Sequence, residues 1–342
     1  MRYSVRSLFA GERLKSFRQA FQVLNWPFLS LTMLLADFLL AHAPFTLPRH
    51  LYSFVEGQSP LSTTPVVFGS LASYLVLVFG IQAVMKNHPP RCLATLFQAH
   101  NVILSGGSFL LLVLLIEETI PIIWKTGFFN AMCSEASWTP RMEFYYMINY
   151  YFKYLELLDT VFLALKKKPL RATCNTYLRL HIDCLPGFLH VFHHSATALL
   201  CCSALIGKIS GSWIPISLNL AVHVLMYYYY YATAAGARIW WKKYLTMLQI
   251  IQFVIDLFAG YFGIYVNSTA TYFNGVLPRM GNCAGSGPAA VFGCGLLTVY
   301  LGLFVNFYLQ TYKKKDSPMT RRTNGIANDH ANGKIIAGQK SE

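Results

Sequence analysis

The chain has 342 residues, 55% of them hydrophobic, 15% aromatic and 12% charged, with 28 Lys and Arg against 14 Asp and Glu for a net charge of +14. A soluble domain usually carries about 25% charged residues; half that share, in a chain with several apolar runs of membrane-crossing length, excludes the ordinary soluble class and points to an integral membrane protein. The positive charge is not a nucleic-acid footprint, because it gathers at the ends of apolar runs: Lys166, Lys167 and Lys168, then Lys242 and Lys243, then Lys313, Lys314 and Lys315.

In chain order, residues 1–21 carry basic residues without a compact apolar core ending in a small-residue cleavage site, so the first span, and no cleaved signal peptide, is the expected membrane signal. Residues 28–45 are apolar, but Asp37 interrupts them and Pro27 and Pro44 frame them. They read as an interfacial or partly inserted helix within an N-terminal region of 1–61. Seven runs then follow, 63–85, 102–124, 143–165, 188–207, 212–235, 244–266 and 289–312, each close to the about 20 residues a helix needs to cross a bilayer. The expected fold is all-α, a polytopic membrane protein of seven transmembrane helices.

With the loops 86–101, 166–187 and 236–243 and the tail after 313 in the cytosol, nearly every basic cluster falls on one side, which makes the N-terminus lumenal and the C-terminus cytosolic. Of the lumenal loops, 125–142, 208–211 and 267–288, the first and last each hold one cysteine. Cys133 and Cys283 are thus candidates for a disulfide in an oxidising compartment, and the last loop opens on the sequon Asn267, Ser268, Thr269. Cys201, Cys202 and Cys294 lie in spans as packing residues, and no CxxC pair suggests zinc. Residues 316–342 are polar, poor in aromatics and expected to be a disordered cytosolic tail.

An ionisable group inside a span normally faces the bundle interior and marks function, and here such groups form patterns. In KYLELLDT, Lys153, Glu156, Asp159 and Thr160 recur at steps of three and four, which gathers them on one helix face. In HVFHH, His190 and His193 lie within a turn of one another and His194 lies alongside. Asn219, His223 and Tyr227 repeat at every fourth position, as do Gln249, Gln252 and Asp256 after Thr246 at spacings of three and four. A self-neutralising structural cluster would explain the first stripe alone. Four helices that each turn a polar stripe inward point to a reaction centre.

Two chemistries suit such a centre. HxxHH is similar to a box of the membrane di-iron desaturases and hydroxylases, but only four of the ten histidines, His190, His193, His194 and His223, lie in stripes, with Glu156 and Asp159 as further ligands. That leaves a two-metal site short of ligands, and the iron reading is the alternative; a carrier or receptor with seven spans is a third class. The other chemistry is imidazole acting on a carbonyl: a histidine neutral near cytosolic pH can accept an acyl group or shuttle a proton, and a thioester is a suitable target.

On these residues the sequence resembles the ELO family of fatty acid elongases, condensing enzymes of the endoplasmic reticulum. KYLELLDT fits the family's KxxExxDT box, HVFHH its HxxHH box, NLAVHVLMYYYY its NxxxHxxMYxYY box and TMLQIIQ its TxxQxxQ box, in the family's order. The resemblance runs from about Ser62 to Lys315, and KYLELLDTVFL, WIPISLNL and QIIQFVIDL look like the fungal very-long-chain branch. It implies a catalytic domain over 62–315 built as a seven-helix bundle around a long acyl tunnel closed toward the lumen. The implied reaction joins an acyl-CoA with malonyl-CoA into a 3-ketoacyl-CoA two carbons longer, releasing CO2 and CoA, without cofactor or metal. The implied partners are those two substrates, the lipid bilayer, and the reductases and dehydratase of the elongation cycle; homo-oligomers are compatible with it and nucleic acid is not.

Carried over residue by residue, the resemblance makes His193 the nucleophile that holds the chain as an acyl-imidazole. His223 and Asn219 would hydrogen-bond the thioester oxygen as enolate charge develops, and His190 and His194 would orient the nucleophile or relay protons. Lys153 would balance Glu156 and Asp159, with Thr160 and Tyr227 completing the stripe. Gln249 and Gln252 would contact the CoA arm, while Lys166, Lys167, Lys168, Lys242 and Lys243 suit its phosphates. One departure stands out: in the family, the basic stretch runs almost directly into the histidine helix, whereas here Arg171 to Gly187 intervenes. It is either a cytosolic loop insertion or translated intron sequence, and His181, Cys174 and Cys184 within it are given no role.

Overall fold

The structure, a computed structural model, describes residues 35–41, 49–91, 93–167, 181–273, 278 and 281–313. Among these every regular element is helical and no strand occurs. Seven long helices of 22 to 40 residues follow one another: α1 Thr64–Met85, α2 Ala94–Cys133, α3 Pro140–Leu165, α4 His181–Ile206, α5 Trp213–Ala234, α6 Lys242–Thr271 and α7 Gly287–Tyr308. A short helix, Leu35–Ala41, lies inside the apolar run expected at the interface, and its Asp37 accepts a 2.7 Å hydrogen bond from Arg141 Nη2 on α3. The tail 316–342, Lys168, Lys314, Lys315 and most of the N-terminal region lie outside the described residues.

Local chemistry explains where the helices start and stop. The Thr139 hydroxyl accepts from the Met142 amide at 3.2 Å and Pro140 occupies the first helical turn, so α3 opens on an N-cap that the sequence prepares. Pro65 and Pro288 do the same positional work in the first turns of α1 and α7. Two boundaries differ from expectation. Helix α4 begins at His181, seven residues before the expected 188, so the second part of the Arg171–Gly187 segment is helical and the first part lies outside the described residues. Helix α2 runs well past both ends of the expected 102–124 and bends where Gly127 takes φ 79°, ψ 161°, six residues after Pro121. Only glycine adopts such a backbone without strain.

Five helices, α1, α2, α4, α6 and α7, are long and apolar enough to cross a membrane, and the protein is a multi-pass membrane protein. Helices α3 and α5 fall short by that measure because α3 holds Arg141, Glu143, Lys153, Glu156 and Asp159, and α5 holds Asn219, His223 and five tyrosines. On α6, Ile251, Val254, Ile255 and Phe258 face outward, Phe258 at 77% exposure, while Thr246, Gln252, Phe253 and Asp256 are buried. Polar inside and apolar outside is the arrangement that lipid favours.

Neighbouring helices close a ring in the order α2, α3, α4, α7, α6, α5 and back to α2, with α1 packed on α3 outside it. Helices α2 and α5 run antiparallel: Ser105 Oγ donates to the Val224 carbonyl near one end, and Trp213 Nε1 to the Ala131 carbonyl at the other. Hydrogen bonds and a disulfide tie the segments of that second end together. Ser210 Oγ donates to the Met132 carbonyl at 2.8 Å, the Ala284 amide to the Cys133 carbonyl at 2.8 Å and the Ser286 amide to the Gly207 carbonyl at 2.8 Å. Cys133 and Cys283 are joined there in a disulfide.

Candidate active site

The expected stripes converge inside the ring. Lys153 and Glu156 on α3 are 1% and 2% exposed, and Asp159 and Thr160 are buried beside them, whereas Leu158 on the opposite face is exposed. Lys153 Nζ donates to Glu156 Oε1 at 2.8 Å and to Asn219 Oδ1 of α5 at 2.9 Å. Asn219 Nδ2 lies 3.2 Å from His223 Nε2, and His223 Nδ1 lies 3.1 Å from Glu156 Oε1. His194 Nδ1 of α4 approaches the other Glu156 oxygen at 3.9 Å. Glu156 is therefore the hub at which one cation and two imidazoles from three helices meet. Two buried charges this close satisfy each other where water cannot.

Asp159, one turn further along α3, belongs to a different set. Its Oδ1 lies 2.9 Å from His100 Nε2 of α2, and its Oδ2 accepts from Tyr227 OH at 2.8 Å. This corrects the expectation that Lys153 balances both carboxylates: the ammonium is committed to Glu156 and Asn219, and Asp159 is held by an imidazole and a phenol. The sequence reading places His100 in the cytosolic loop 86–101, whereas it lies inside α2. A signal was present, since His100, Leu104, Ser108, Leu111 and Leu115 recur at helical spacing and are all buried.

A cavity of about 670 Å³ occupies the ring interior. His193, Lys153, Asn219 and Gln252 line it at one end; Ile209, Asn267, Cys283 and Ser286 line it toward the disulfide end. Among the described histidines His193 alone lines it. Its ring packs against Tyr300, Phe304 and Phe253 at centroid distances of 4.7, 5.7 and 6.4 Å, and its Nδ1 has no hydrogen-bond partner. The His193 carbonyl accepts from Thr197 Oγ1 at 2.6 Å and from Tyr300 OH at 3.2 Å. The His190 and His194 rings meet edge to face, 4.4 Å apart, and His194 lies 5.6 Å from the His193 ring. Tyr300 and Phe304 had no sequence signal, because on α7 they read as ordinary aromatic packing.

The remaining candidates are distributed by depth. Gln249 is half-buried, with Nε2 3.6 Å from Met226 Sδ, and Gln252 turns its amide to Asp256. Lys167 Nζ donates to the Lys86 carbonyl at 3.0 Å and Lys166 Nζ sits 3.7 Å over the Phe97 ring, which places both at the end opposite the disulfide. Lys242 and Lys243 are exposed at the start of α6, also at that end. The sequon asparagine is occupied structurally: Asn267 Nδ2 donates to the Cys283 carbonyl at 2.9 Å.

Residues 59–320 match the model of the ELO (GNS1/SUR4) family. The chain belongs to the ELO family. Putative fatty acid elongase 1 of Schizosaccharomyces pombe is 42% identical over 290 residues, covering 85% of this chain and 82% of that protein. Putative fatty acid elongase 2 of the same yeast is 41% identical over 277 residues, 80% of this chain and 71% of the relative. Very long chain fatty acid elongase 2 of Rattus norvegicus is 29% identical over 277 residues, 77% of this chain and 85% of the relative. ELO membership and these relatives support a role in fatty acid elongation.

Proposed function

We propose that the protein is a 3-ketoacyl-CoA synthase that condenses a long-chain acyl-CoA with malonyl-CoA in the membrane of the endoplasmic reticulum, all seven long helices crossing it. The observation that carries this reading is the position of His193: an imidazole with an unpaired ring nitrogen, its side chain lining one end of a mostly apolar cavity that runs toward the disulfide-linked end of the bundle. The unprotonated nitrogen attacks the thioester carbonyl, the carbon–sulfur bond breaks, and the acyl group stays on His193 while CoA leaves. Malonyl-CoA then takes the vacated position and loses CO2. The resulting enolate attacks the acyl-imidazole carbonyl, a carbon–carbon bond forms, and the imidazole is released. Asn219 and Lys153, which line the same end, supply donors and positive charge near the thioester oxygen. The basic rim at Lys166, Lys167, Lys242 and Lys243 suits CoA phosphates on the cytosolic side.

Membranes holding the full chain are expected to convert labelled malonyl-CoA and a long acyl-CoA into a 3-ketoacyl-CoA, and His193→Ala is expected to lower product formation by at least about a thousandfold, as loss of a covalent nucleophile does. Product formation that survives His193→Ala rules out the covalent route. The iron reading retains one observation in its favour: ligand atoms of Asp159, His190 and His194 lie within 4.8 Å of one another. Asp159 already engages His100 and Tyr227, and three donors do not make a two-metal site. Stoichiometric iron in the purified protein would favour it over condensation.

A further inference from the structure

The cavity wall carries a carboxyl group that condensation does not use. Asp256 on α6 is 2% exposed and lines the cavity; Gln252 Nε2 donates to its Oδ2 at 3.2 Å, and Oδ1 has no partner. Its depth follows from the helix. Phe253, whose ring lies 6.4 Å from that of His193, precedes Asp256 by three residues, so Asp256 sits about 4.5 Å further toward the disulfide end. Its companions on that stretch of wall, Gly260, Gly263, Ile264 and Leu297, offer no polar side chain. An unpaired acceptor in such surroundings is a standing deficit of one hydrogen bond.

The chemistry of the missing partner can be read from what is already used. Gln252 Nε2 is committed to Asp256, Asn149 Nδ2 to Cys201 Sγ at 3.6 Å, and Lys153 Nζ to Glu156 and Asn219. The side-chain atoms on this part of the wall that have no partner at all are acceptors by position, Asp256 Oδ1 and Asn149 Oδ1. They call for a donor on the occupant, which an unsubstituted or oxo-substituted chain lacks and a hydroxyl supplies. A cationic donor would be excluded by the apolar bore on either side.

We propose that Asp256 is a specificity-determining residue that accepts a hydrogen bond from a hydroxyl carried on the acyl chain a few carbons beyond the thioester, so that hydroxyacyl-CoAs are a preferred substrate class. This rests on the elongase reading above. The test uses the full chain in membranes with malonyl-CoA and palmitoyl-CoA, its analogues with a single hydroxyl moved stepwise along the first half of the chain, and the matching oxo analogues. The readout is the ratio of kcat/KM for each analogue to that for palmitoyl-CoA, which cancels differences in the amount of folded enzyme. One hydroxyl position is expected to be favoured by about tenfold, the upper scale of one ordinary hydrogen bond. Asp256→Leu is expected to abolish that preference, and Asp256→Asn, which keeps the shape and one acceptor, to reduce it. Equal handling of all chains by the wild-type enzyme, a preference for the oxo analogues, or a hydroxyl preference that survives Asp256→Leu overturns the proposal. Extension of palmitoyl-CoA in those same assays leaves the elongase reading standing; if no chain is extended, both fall.

Discussion

Glu156 receives Lys153 and lies close to His223 and His194, so the side chains of three helices depend on one carboxylate. Burying that many polar groups is unfavourable unless each is satisfied, and a partly satisfied network is worse than an apolar core. Glu156→Gln removes the counter-charge and strands the Lys153 ammonium; the variant is expected to lose about 3–5 kcal/mol of stability, read as a lowered thermal midpoint in detergent. The double variant Glu156→Gln with Lys153→Met removes both charges and is expected to regain most of that loss. Its condensing activity is expected to stay low, because Lys153 and Asn219 share the His193 end of the cavity. A double variant no more stable than the single one would show that the pair is not energetically coupled.

At the scale of elements, two glycines shape the disulfide end in different ways. Gly127 has φ 79° with nothing within 4 Å of where a Cβ would stand, so it serves conformation alone, turning the last residues of α2 so that Phe128 meets Trp213 at 5.7 Å. Gly285 has φ 125°, and a Cβ there would lie 2.8 Å from the Ile209 backbone, which hydrogen bonds on either side hold in place. Gly285→Ala therefore combines backbone strain with overpacking and is expected to lower the thermal midpoint more than Gly127→Ala, which adds strain of about 1–3 kcal/mol alone. Equal effects would mean that the 207–212 and 282–286 segments yield freely. Much of what the elements do was legible beforehand: the α3 stripe shows itself because charges are rare in spans, so Lys153, Glu156 and Asp159 stand out at helical spacing. The partner of Asp159 escapes a hydropathy window, which sees only a polar loop near the start of α2, although the helical spacing of His100 with Leu104 and Ser108 marks it. Tyr300 and Phe304 were hidden because an aromatic wall around an imidazole has the composition of ordinary packing. The bend at Gly127 was hidden because glycine is common in membrane helices and nothing local marks which one leaves the helical region.

Across the whole molecule, the basic ends and the disulfide lie at opposite poles, with the ring and its cavity between them. The polarity is chemical as well as geometric. Lysines gather at the end that the proposed orientation places in the cytosol, and a disulfide persists only in an oxidising compartment, so the two features independently support that proposal. The bond closes a separation of 150 residues and ties α2 to the α6–α7 loop, across the end where backbone hydrogen bonds already join the same segments. Cys133→Ala and Cys283→Ala are each expected to lower thermal stability by about 2–5 kcal/mol, and the double variant by no more than either single one, since all three remove the same cross-link. In sealed microsomes, a membrane-impermeant reductant added outside is expected to leave both thiols inaccessible to a later alkylating agent under denaturing conditions, whereas the same reductant after detergent is expected to expose both. Reduction in sealed vesicles would invert the orientation. The lysine rim would then face the lumen, away from cytosolic CoA thioesters, and an acyl chain could no longer enter head-last from the pole at which His193 lies.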